Sequence, residues 1–227
     1  MVRVALIDAS SSTNKPDVRT VYEDTMQTIV STAGGGDVLV AYPITSNSQA
    51  SSYADVTVQF PTYNGLTENE DQYHDAQTDA ANQAQDGIEK IITFKDGSDG
   101  TDLLFAFTKA SDVFNGELYR SAKEKDLVVL TDGFQQTHQL DMMKVLLTPD
   151  RIQEIIRGLK DDGYLPNLQG VKVWMVGCGA DPHHEVGPEK LDQVRRFWLA
   201  YFKACGANLA PERYGTTLEN YKGSVQE

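Results

Sequence analysis

The chain has 227 residues, of which 40% are hydrophobic and 23% charged, a composition that supports one large folded domain and excludes an intrinsically disordered chain. Its formal net charge of -13 repels phosphate backbones and anionic lipid headgroups, so nucleic acid is not expected as a partner. No apolar run reaches the roughly 18 residues of a membrane-spanning helix, and no membrane span is predicted.

The compartment is only weakly indicated. The first residues lead directly into a strand-like apolar run without a separate targeting segment, which slightly favours the cytoplasm. An exported or anchored protein stays open if the sequence is part of a longer chain. Cys178 and Cys205 flank a predicted helix that holds them too far apart for a disulfide, so both are predicted to be buried, reduced thiols.

Strands and helices are predicted to alternate from the start of the chain. Residues 2–7 are almost continuously apolar, which is typical of a strand buried on both faces of a parallel sheet. Residues 16–33 have a helical period, begin with Pro16 and end at a run of glycines. Residues 38–42 and 54–60 are predicted as two strands joined by a serine-rich turn, forming an antiparallel hairpin at the sheet edge.

The alternation continues through the rest of the chain. The remaining predictions are helices over 73–91 and 102–113, a strand over 126–131, a helix over 149–159, a strand over 171–176, a helix over 188–204 and a short strand over 207–210. This order predicts an α/β fold, doubly wound, with a mostly parallel central sheet, helices on both faces and one antiparallel edge strand. We assign one domain to residues 1–210 and interpret 211–227 as a polar C-terminal tail.

Oxygen-bearing side chains follow the predicted strands at one edge of this sheet, where ligands of open α/β sheets bind. Asp8, Ser10 and Ser12 follow the first strand at a spacing that places them on a common side. Thr101 precedes a helix, and Asp132 follows the fourth strand. Carboxylate and hydroxyl oxygens suit Mg²⁺, Mn²⁺ or Ca²⁺, whereas zinc and copper prefer histidine and cysteine. The sequence therefore predicts a site for a hard divalent cation.

Three short motifs, Asp-x-Ser-x-Ser at 8–12, Gly-Thr-Asp at 100–102 and Thr-Asp-Gly at 131–133, resemble the metal-ion-dependent adhesion site of the von Willebrand factor type A family. The resemblance implies a Rossmann-like fold and Mg²⁺ as the ion, with Mn²⁺ or Ca²⁺ as alternatives. It implies the metal-binding residues Asp8, Ser10, Ser12, Thr101 and Asp132. It also implies an adhesion or scaffold module rather than an enzyme, in which the ion bridges to an Asp or Glu carboxylate of another protein.

Two departures from the commoner family pattern leave the partner open. Ser11 stands where a glycine is frequent, and an insertion over 46–69 has no counterpart in the pattern. Neither departure removes a ligand, but the loops around a metal decide which protein docks there. The oligomeric state is also open.

Other functions are compatible with parts of the pattern. Asp8 and the serines after it also fit a helix cap, and Asp132 with Gly133 fits a plain turn. A metal-dependent hydrolase such as a phosphoesterase also carries an aspartate after its first strand. Such an enzyme needs a second carboxylate where this chain has Ser10, and a basic residue beside the motifs. A third possibility is an interaction domain with a vestigial or merely structural metal site.

Two weaker candidates lie near the fifth strand. His183 and His184, with the acidic residues beside them, form a possible transition-metal site, although adjacent side chains in a loop seldom converge on one ion. Cys178 is a possible nucleophile, but an acidic chain offers little to stabilise a thiolate.

Overall fold

The computed structural model describes residues 1–10, 13, 15–49, 55–66, 69–94, 100–179, 186–219 and 221–222. The strands of this part are β1 (Val2–Asp8), β2 (Val38–Ile44), β3 (Val56–Gln59), β4 (Lys125–Leu130), β5 (Lys172–Val176) and β6 (Tyr214–Gly215). The α-helices are α1 (Pro16–Ser31), α2 (Glu70–Thr93), α3 (Leu103–Asn115), α4 (Pro149–Asp161) and α5 (Pro188–Ala204).

The six strands form one sheet in the order β3-β2-β1-β4-β5-β6. All neighbouring strands are parallel except β3, which pairs antiparallel with β2 at the edge. The predicted fold class, a mostly parallel sheet with one antiparallel edge strand, is therefore confirmed. Because β1 and β4 lie side by side at the centre, the residues that follow them meet at the carboxyl edge of the sheet.

Both faces of the sheet are covered, and β1 illustrates how. All seven of its residues are buried, and their side chains alternate between the two faces. Leu6 belongs to the buried cluster that contains Phe107 of α3 and Trp198 of α5. Ile7 belongs to the opposite cluster, which is built with α1 and α2 and contains Met26. This burial on both faces is why the strand is continuously apolar.

The prediction of the last strand over 207–210 is wrong. In that segment Asn208 makes only an isolated bridge to Lys172, and β6 lies further along, at Tyr214–Gly215, paired with β5. A 3-10 turn at Pro211–Arg213 returns the chain to the sheet. Beyond β6, Leu218 and Tyr221 pack against the cluster on the α1 side, so part of the segment interpreted as a tail contributes to the core.

Two smaller expectations concern the cysteines and the membrane. Cys178 and Cys205 are both free and buried, as predicted. No helix among the described residues is long and apolar enough to cross a membrane.

Candidate metal centre

Two aspartates come to the carboxyl edge of the sheet on neighbouring strands. Asp8 is the last residue of β1, and the preceding residue, Ile7, lies opposite Leu130 at the end of β4. Asp132 follows two residues after Leu130. Both aspartates are buried, with 4% and 7% of their surfaces exposed. The parallel pairing of β1 and β4 thus places two acidic side chains close together and away from water.

Asp8 is held by neutral donors. Its Oδ1 accepts a hydrogen bond from the Ser10 backbone N–H at 2.9 Å, and its Oδ2 accepts one from the Thr131 hydroxyl at 2.8 Å. Burial, and after it the nearby Asp132 carboxylate, raises the pKa of Asp8 to about 7. No Lys, Arg or His in the described residues forms an ion pair with Asp8. Within the described residues, the two carboxylates therefore oppose each other without an ion pair to Asp8.

The loop that carries Asp132 is fastened to the core. The Asp132 Oδ1 accepts from the Phe134 N–H at 2.9 Å, and the Trp198 indole N–H donates to the Gly133 carbonyl at 2.7 Å. Gly133 has φ of +90°, and a Cβ there would lie 3.2 Å from the Cys178 sulfur. The left-handed backbone at this position favours glycine, and a Cβ there would crowd the Cys178 sulfur.

Thr101 is held between the same loop and β2. It is buried, and its backbone exchanges two hydrogen bonds with Gln136, at 3.2 and 2.9 Å. The next residue, Asp102, donates its N–H to the carbonyl of Thr45, immediately after β2, at 2.9 Å. Gly100 has φ of +126°, and a Cβ there would lie 2.8 Å from the Gln136 carbonyl oxygen. Thr101 therefore reaches the carboxyl edge at a fixed position.

Four of the five predicted metal-binding residues can thus be placed. They are buried and lie at the carboxyl edge: Asp8, Ser10, Thr101 and Asp132. Ser12 lies outside the described residues, as do His183 and His184 of the weaker candidate site. Cys178 lies beneath the Asp132 loop, where burial and, after it, the Asp132 carboxylate raise its pKa well above the ordinary value. This shift disfavours the thiolate that a nucleophile requires.

Two buried residues near the site were not singled out from the sequence. Tyr22 of α1 lies close enough that, after burial, the charges of Asp8 and Asp132 raise its pKa further. Its helical period marked it only as a core residue. Gln135 follows the Thr-Asp-Gly motif and is fully buried, with hydrogen bonds to the start of α3. The sequence around Tyr22 or Gln135 contains no motif that indicates which distant residues each one contacts.

The donor set fits a hard divalent cation. Two buried carboxylates that repel each other are stabilised by a cation placed between them. The described residues contain no group of three or more His, Cys, Asp or Glu side chains arranged to hold a metal. At this edge they supply two carboxylates together with hydroxyl groups, a combination that suits magnesium, manganese or calcium better than zinc.

A cavity of about 690 Å³ opens beside Thr101. Gly100 and Asp102, on either side of Thr101 in the chain, both line it. Leu104 of α3 and Tyr164, after α4, contribute apolar surface, and the loop after β4 contributes polar side chains. The surface next to the candidate metal centre is therefore concave and of mixed polarity, with a volume typical of ligand sites.

The fold and the site together define a class: an α/β domain with a candidate hard-cation site at the carboxyl edge of its parallel strands. No family model matches the sequence, and no curated protein matches it either. Solved structures with a similar fold include a von Willebrand factor type A protein from Catenulispora acidiphila, at 14% identity and a TM-score of 0.45, over 92% of this chain and 43% of that one.

Two further solved structures are similar at the same low identity. The manganese-loaded TRAP protein of Plasmodium vivax is 14% identical with a TM-score of 0.45, over 96% of this chain and 68% of that one. The pilus adhesin SpaC of Lactobacillus rhamnosus GG, in its open conformation, is 14% identical with a TM-score of 0.47, over 95% of this chain and 28% of that one. This chain spans less than half the length of the Catenulispora protein and of the adhesin.

Proposed function

We propose that this chain is a von Willebrand factor type A domain that recruits another protein through a divalent cation. The cation, Mg²⁺ or alternatively Mn²⁺ or Ca²⁺, would be held by Asp8, Ser10, Ser12, Thr101 and Asp132. The observation that carries the proposal is the burial of Asp8 beside Asp132, where the described residues that donate to Asp8 are neutral. A folded protein keeps such a pair at low cost when a cation joins it.

The coordination number of the ion explains how a partner would bind. Mg²⁺ takes six oxygen ligands, of which hydroxyl and carboxylate groups of this chain supply only some, and water completes the shell. Exchange of one water for a partner's Asp or Glu carboxylate brings opposite charges together in a partly desolvated site. The proposed module therefore binds an acidic residue of its partner and carries out no covalent chemistry.

The rest of the partner surface has a chemistry set by this chain. The net charge of -13 repels an acidic protein, so the partner needs neutral or basic groups around its one acidic contact. The cavity beside Thr101 is the concave surface available to the residues that flank this contact. Its apolar wall, which includes Leu104 and Tyr164, also accommodates uncharged side chains.

The metal is tested first, by isothermal titration of Mg²⁺ and Mn²⁺ into the wild type and two variants, Thr101→Ala and Asp132→Asn. We expect binding to the wild type and at least about a ten-fold loss of affinity in both variants, because each loses an oxygen donor or a charge at the ion. Thr25→Ala and Asp126→Asn are controls, since both residues are buried, Thr25 in the middle of α1 and Asp126 at the amino end of β4. Equal affinity in all five proteins would contradict the assignment.

Recruitment is tested by affinity capture with the full chain as bait, in Mg²⁺ and in EDTA. A partner that meets the proposal is retained in Mg²⁺ by the wild type and by Thr25→Ala, and is lost in EDTA and with Ser12→Ala or Thr101→Ala. Substitution of one Asp or Glu in that partner should also abolish binding. Full binding in EDTA would place the docking surface elsewhere. Mg²⁺-dependent turnover of p-nitrophenyl phosphate that requires Asp8 would favour the hydrolase instead.

A further inference from the structure

Gln135 is a buried side chain whose amide group is fully used in hydrogen bonds. Its Oε1 accepts from the backbone N–H groups of Leu103 and Leu104, at 2.7 and 3.1 Å. Its Nε2 donates to the Thr137 hydroxyl at 3.1 Å and, over a longer 3.4 Å, to Asp102 Oδ1. An amide has two acceptor and two donor positions, so this side chain is held in one orientation.

The bonds made by Gln135 complete the cap of α3 from a different loop. The first N–H groups of a helix have no partner within the helix and are commonly capped by the residue just before it. Here the side chain of that residue, Asp102, accepts the N–H of Phe105 at 3.3 Å and no other N–H of α3. The N–H groups of Leu103 and Leu104 are left to Gln135, which lies 32 residues beyond Leu103 in the sequence. The start of α3 is therefore attached to the loop that follows β4.

The backbone joins the same two loops next to this side chain. Thr101 and Gln136 exchange two hydrogen bonds, and Asp102 donates its N–H to the Thr45 carbonyl. Thr101 thus lies between two attachments, one to the loop that carries Asp132 and one to the end of β2. The Gln135 side chain adds a third attachment, because it accepts hydrogen bonds from Leu103 and Leu104, just after Thr101.

We propose that Gln135 is a positioning residue that sets the spacing between Thr101 and Asp132 and thereby the affinity of the metal centre. This inference rests on the proposed function of the site. Gln135 does not bind the ion; it acts through the two loops that supply the ligands. Residues that orient metal ligands typically change metal affinity by about 10–100-fold when they are substituted. A side chain that merely satisfies buried groups would change the stability of the fold and leave the affinity unaltered.

The test compares Gln135→Met with Gln193→Met. Methionine has a similar length and removes every hydrogen bond of the amide. Gln193 is a matched control because it is also buried and its Oε1 accepts one backbone N–H, that of Leu147, at 3.1 Å. The midpoint of thermal unfolding in EDTA measures stability, and titration of Mg²⁺ at a temperature where all proteins are folded measures affinity.

We expect both variants to lose stability in EDTA and only Gln135→Met to lose Mg²⁺ affinity, by about 10-fold or more. If Gln135→Met does not fold, Thr137→Val replaces it. This half-buried position accepts from the Gln135 amide, and its change should weaken Mg²⁺ binding by a few-fold. Manganese bound to Gln135→Met or to Thr137→Val should also give an electron paramagnetic resonance spectrum that differs from the wild-type spectrum.

The outcomes separate this inference from the function on which it rests. Wild-type affinity in Gln135→Met, or in Thr137→Val where that variant is used, overturns the role of Gln135 and leaves the metal centre intact. A wild-type chain that binds neither Mg²⁺ nor Mn²⁺ overturns both.

Discussion

Asp37 at the amino end of the parallel strands and Asp8 at their carboxyl end are buried carboxylates with opposite electrostatic surroundings. At the amino end, Asp37 is 3.1 Å from the guanidinium of Arg3, and both side chains are almost fully buried. Arg3 also donates to the carbonyls of Ile29 and Thr32, at 3.1 and 2.8 Å. At the carboxyl end, the described residues that donate to Asp8 are neutral, and burial and, after it, Asp132 raise the pKa of Asp8.

The two ends differ in the source of the counter-charge. At the amino end the guanidinium of Arg3 balances the charge of Asp37. The carboxyl end has two acids at its centre, and no Lys, Arg or His of the described residues is ion-paired with Asp8. We therefore expect substitutions at the amino end to act on stability alone, and those at the carboxyl end to act through a divalent cation.

The largest expected effect is at the amino end. Arg3→Met removes the guanidinium beside the buried Asp37, whose Oδ1 keeps the N-terminal ammonium at 2.9 Å. The free energy of unfolding should therefore fall by about 3 kcal/mol, the lower end of the range for a broken buried pair. Urea denaturation in EDTA and in Mg²⁺ measures the loss, which should be the same in both. Arg196→Met is the control: it removes a half-exposed ion pair with Asp192 and should cost no more than about 1 kcal/mol. Equal losses of stability in the two variants would show that the buried ion pair contributes no more than the half-exposed one.

Asp8→Asn should have the opposite sign in the absence of metal. The change removes one of two opposing carboxylates, so the variant should unfold in EDTA at the same temperature as the wild type or higher. The wild type should gain about 2.7 kcal/mol at a Mg²⁺ concentration of 100 times its Kd, and the variant should gain nothing. Asp37→Asn should instead destabilise in both conditions. If Mg²⁺ stabilises Asp8→Asn as much as the wild type, Asp8 does not bind the ion.

The pH dependence of stability should differ with and without metal. The pKa of Asp8 is raised from 3.8 to about 7 in the folded state, so between these values the folded protein holds more protons than the unfolded chain. In EDTA, stability should therefore fall as the pH rises towards 7, by at most about 1.4 kcal/mol per pH unit for this group. Mg²⁺ should abolish this fall, because the ion stabilises the ionised carboxylate.

A second buried acid serves as the control for this experiment. Burial raises the pKa of Asp126, at the amino end, to about 6, so it destabilises in the same direction over a lower pH range. Asp126→Asn should remove only the contribution of this group, between pH 3.8 and about 6, and leave the Mg²⁺-sensitive contribution of Asp8, which extends to about pH 7. The midpoints of urea unfolding, measured between about pH 5 and 8, test this prediction. A dependence of stability on pH above 6 that Mg²⁺ does not change would count against metal binding at Asp8.

The sequence predicted the parts of this molecule that depend on local patterns. The helix over Pro188–Ala204 was predicted at roughly these bounds, because a proline begins it and its apolar residues recur at helical spacing. β6 was misplaced, since a strand of two residues, Tyr214–Gly215, has no period to detect. At the site, too, residues with a local sequence pattern were found and those without one were missed. Asp8 and Asp132 stand in short motifs, whereas the role of Gln135 depends on a contact with Leu103, far away in the sequence.

The smallest expected effect uses the two cysteines as reporters of the two ends. Cys178 lies under the loop of Asp132, where its Sγ donates to the Thr131 carbonyl at 3.3 Å. Cys205 follows α5, and its carbonyl accepts from Leu168, near the amino end of β5. Both thiols are buried, at 0% and 5% exposure, so each reacts with a thiol reagent only after an opening of the structure.

Mg²⁺ should slow the labelling of Cys178 and leave that of Cys205 unchanged. An opening that exposes Cys178 displaces Thr131 and therefore disturbs the adjacent Asp8 and Asp132, so the bound ion must leave first. At a Mg²⁺ concentration nine times its Kd, this requirement should reduce the labelling rate about ten-fold, equivalent to about 1.4 kcal/mol. Mass spectrometry of each cysteine-containing peptide measures the two rates in one sample. Equal slowing at both cysteines would mean that both react through global unfolding, and no slowing at Cys178 would place any bound metal away from the Asp132 loop.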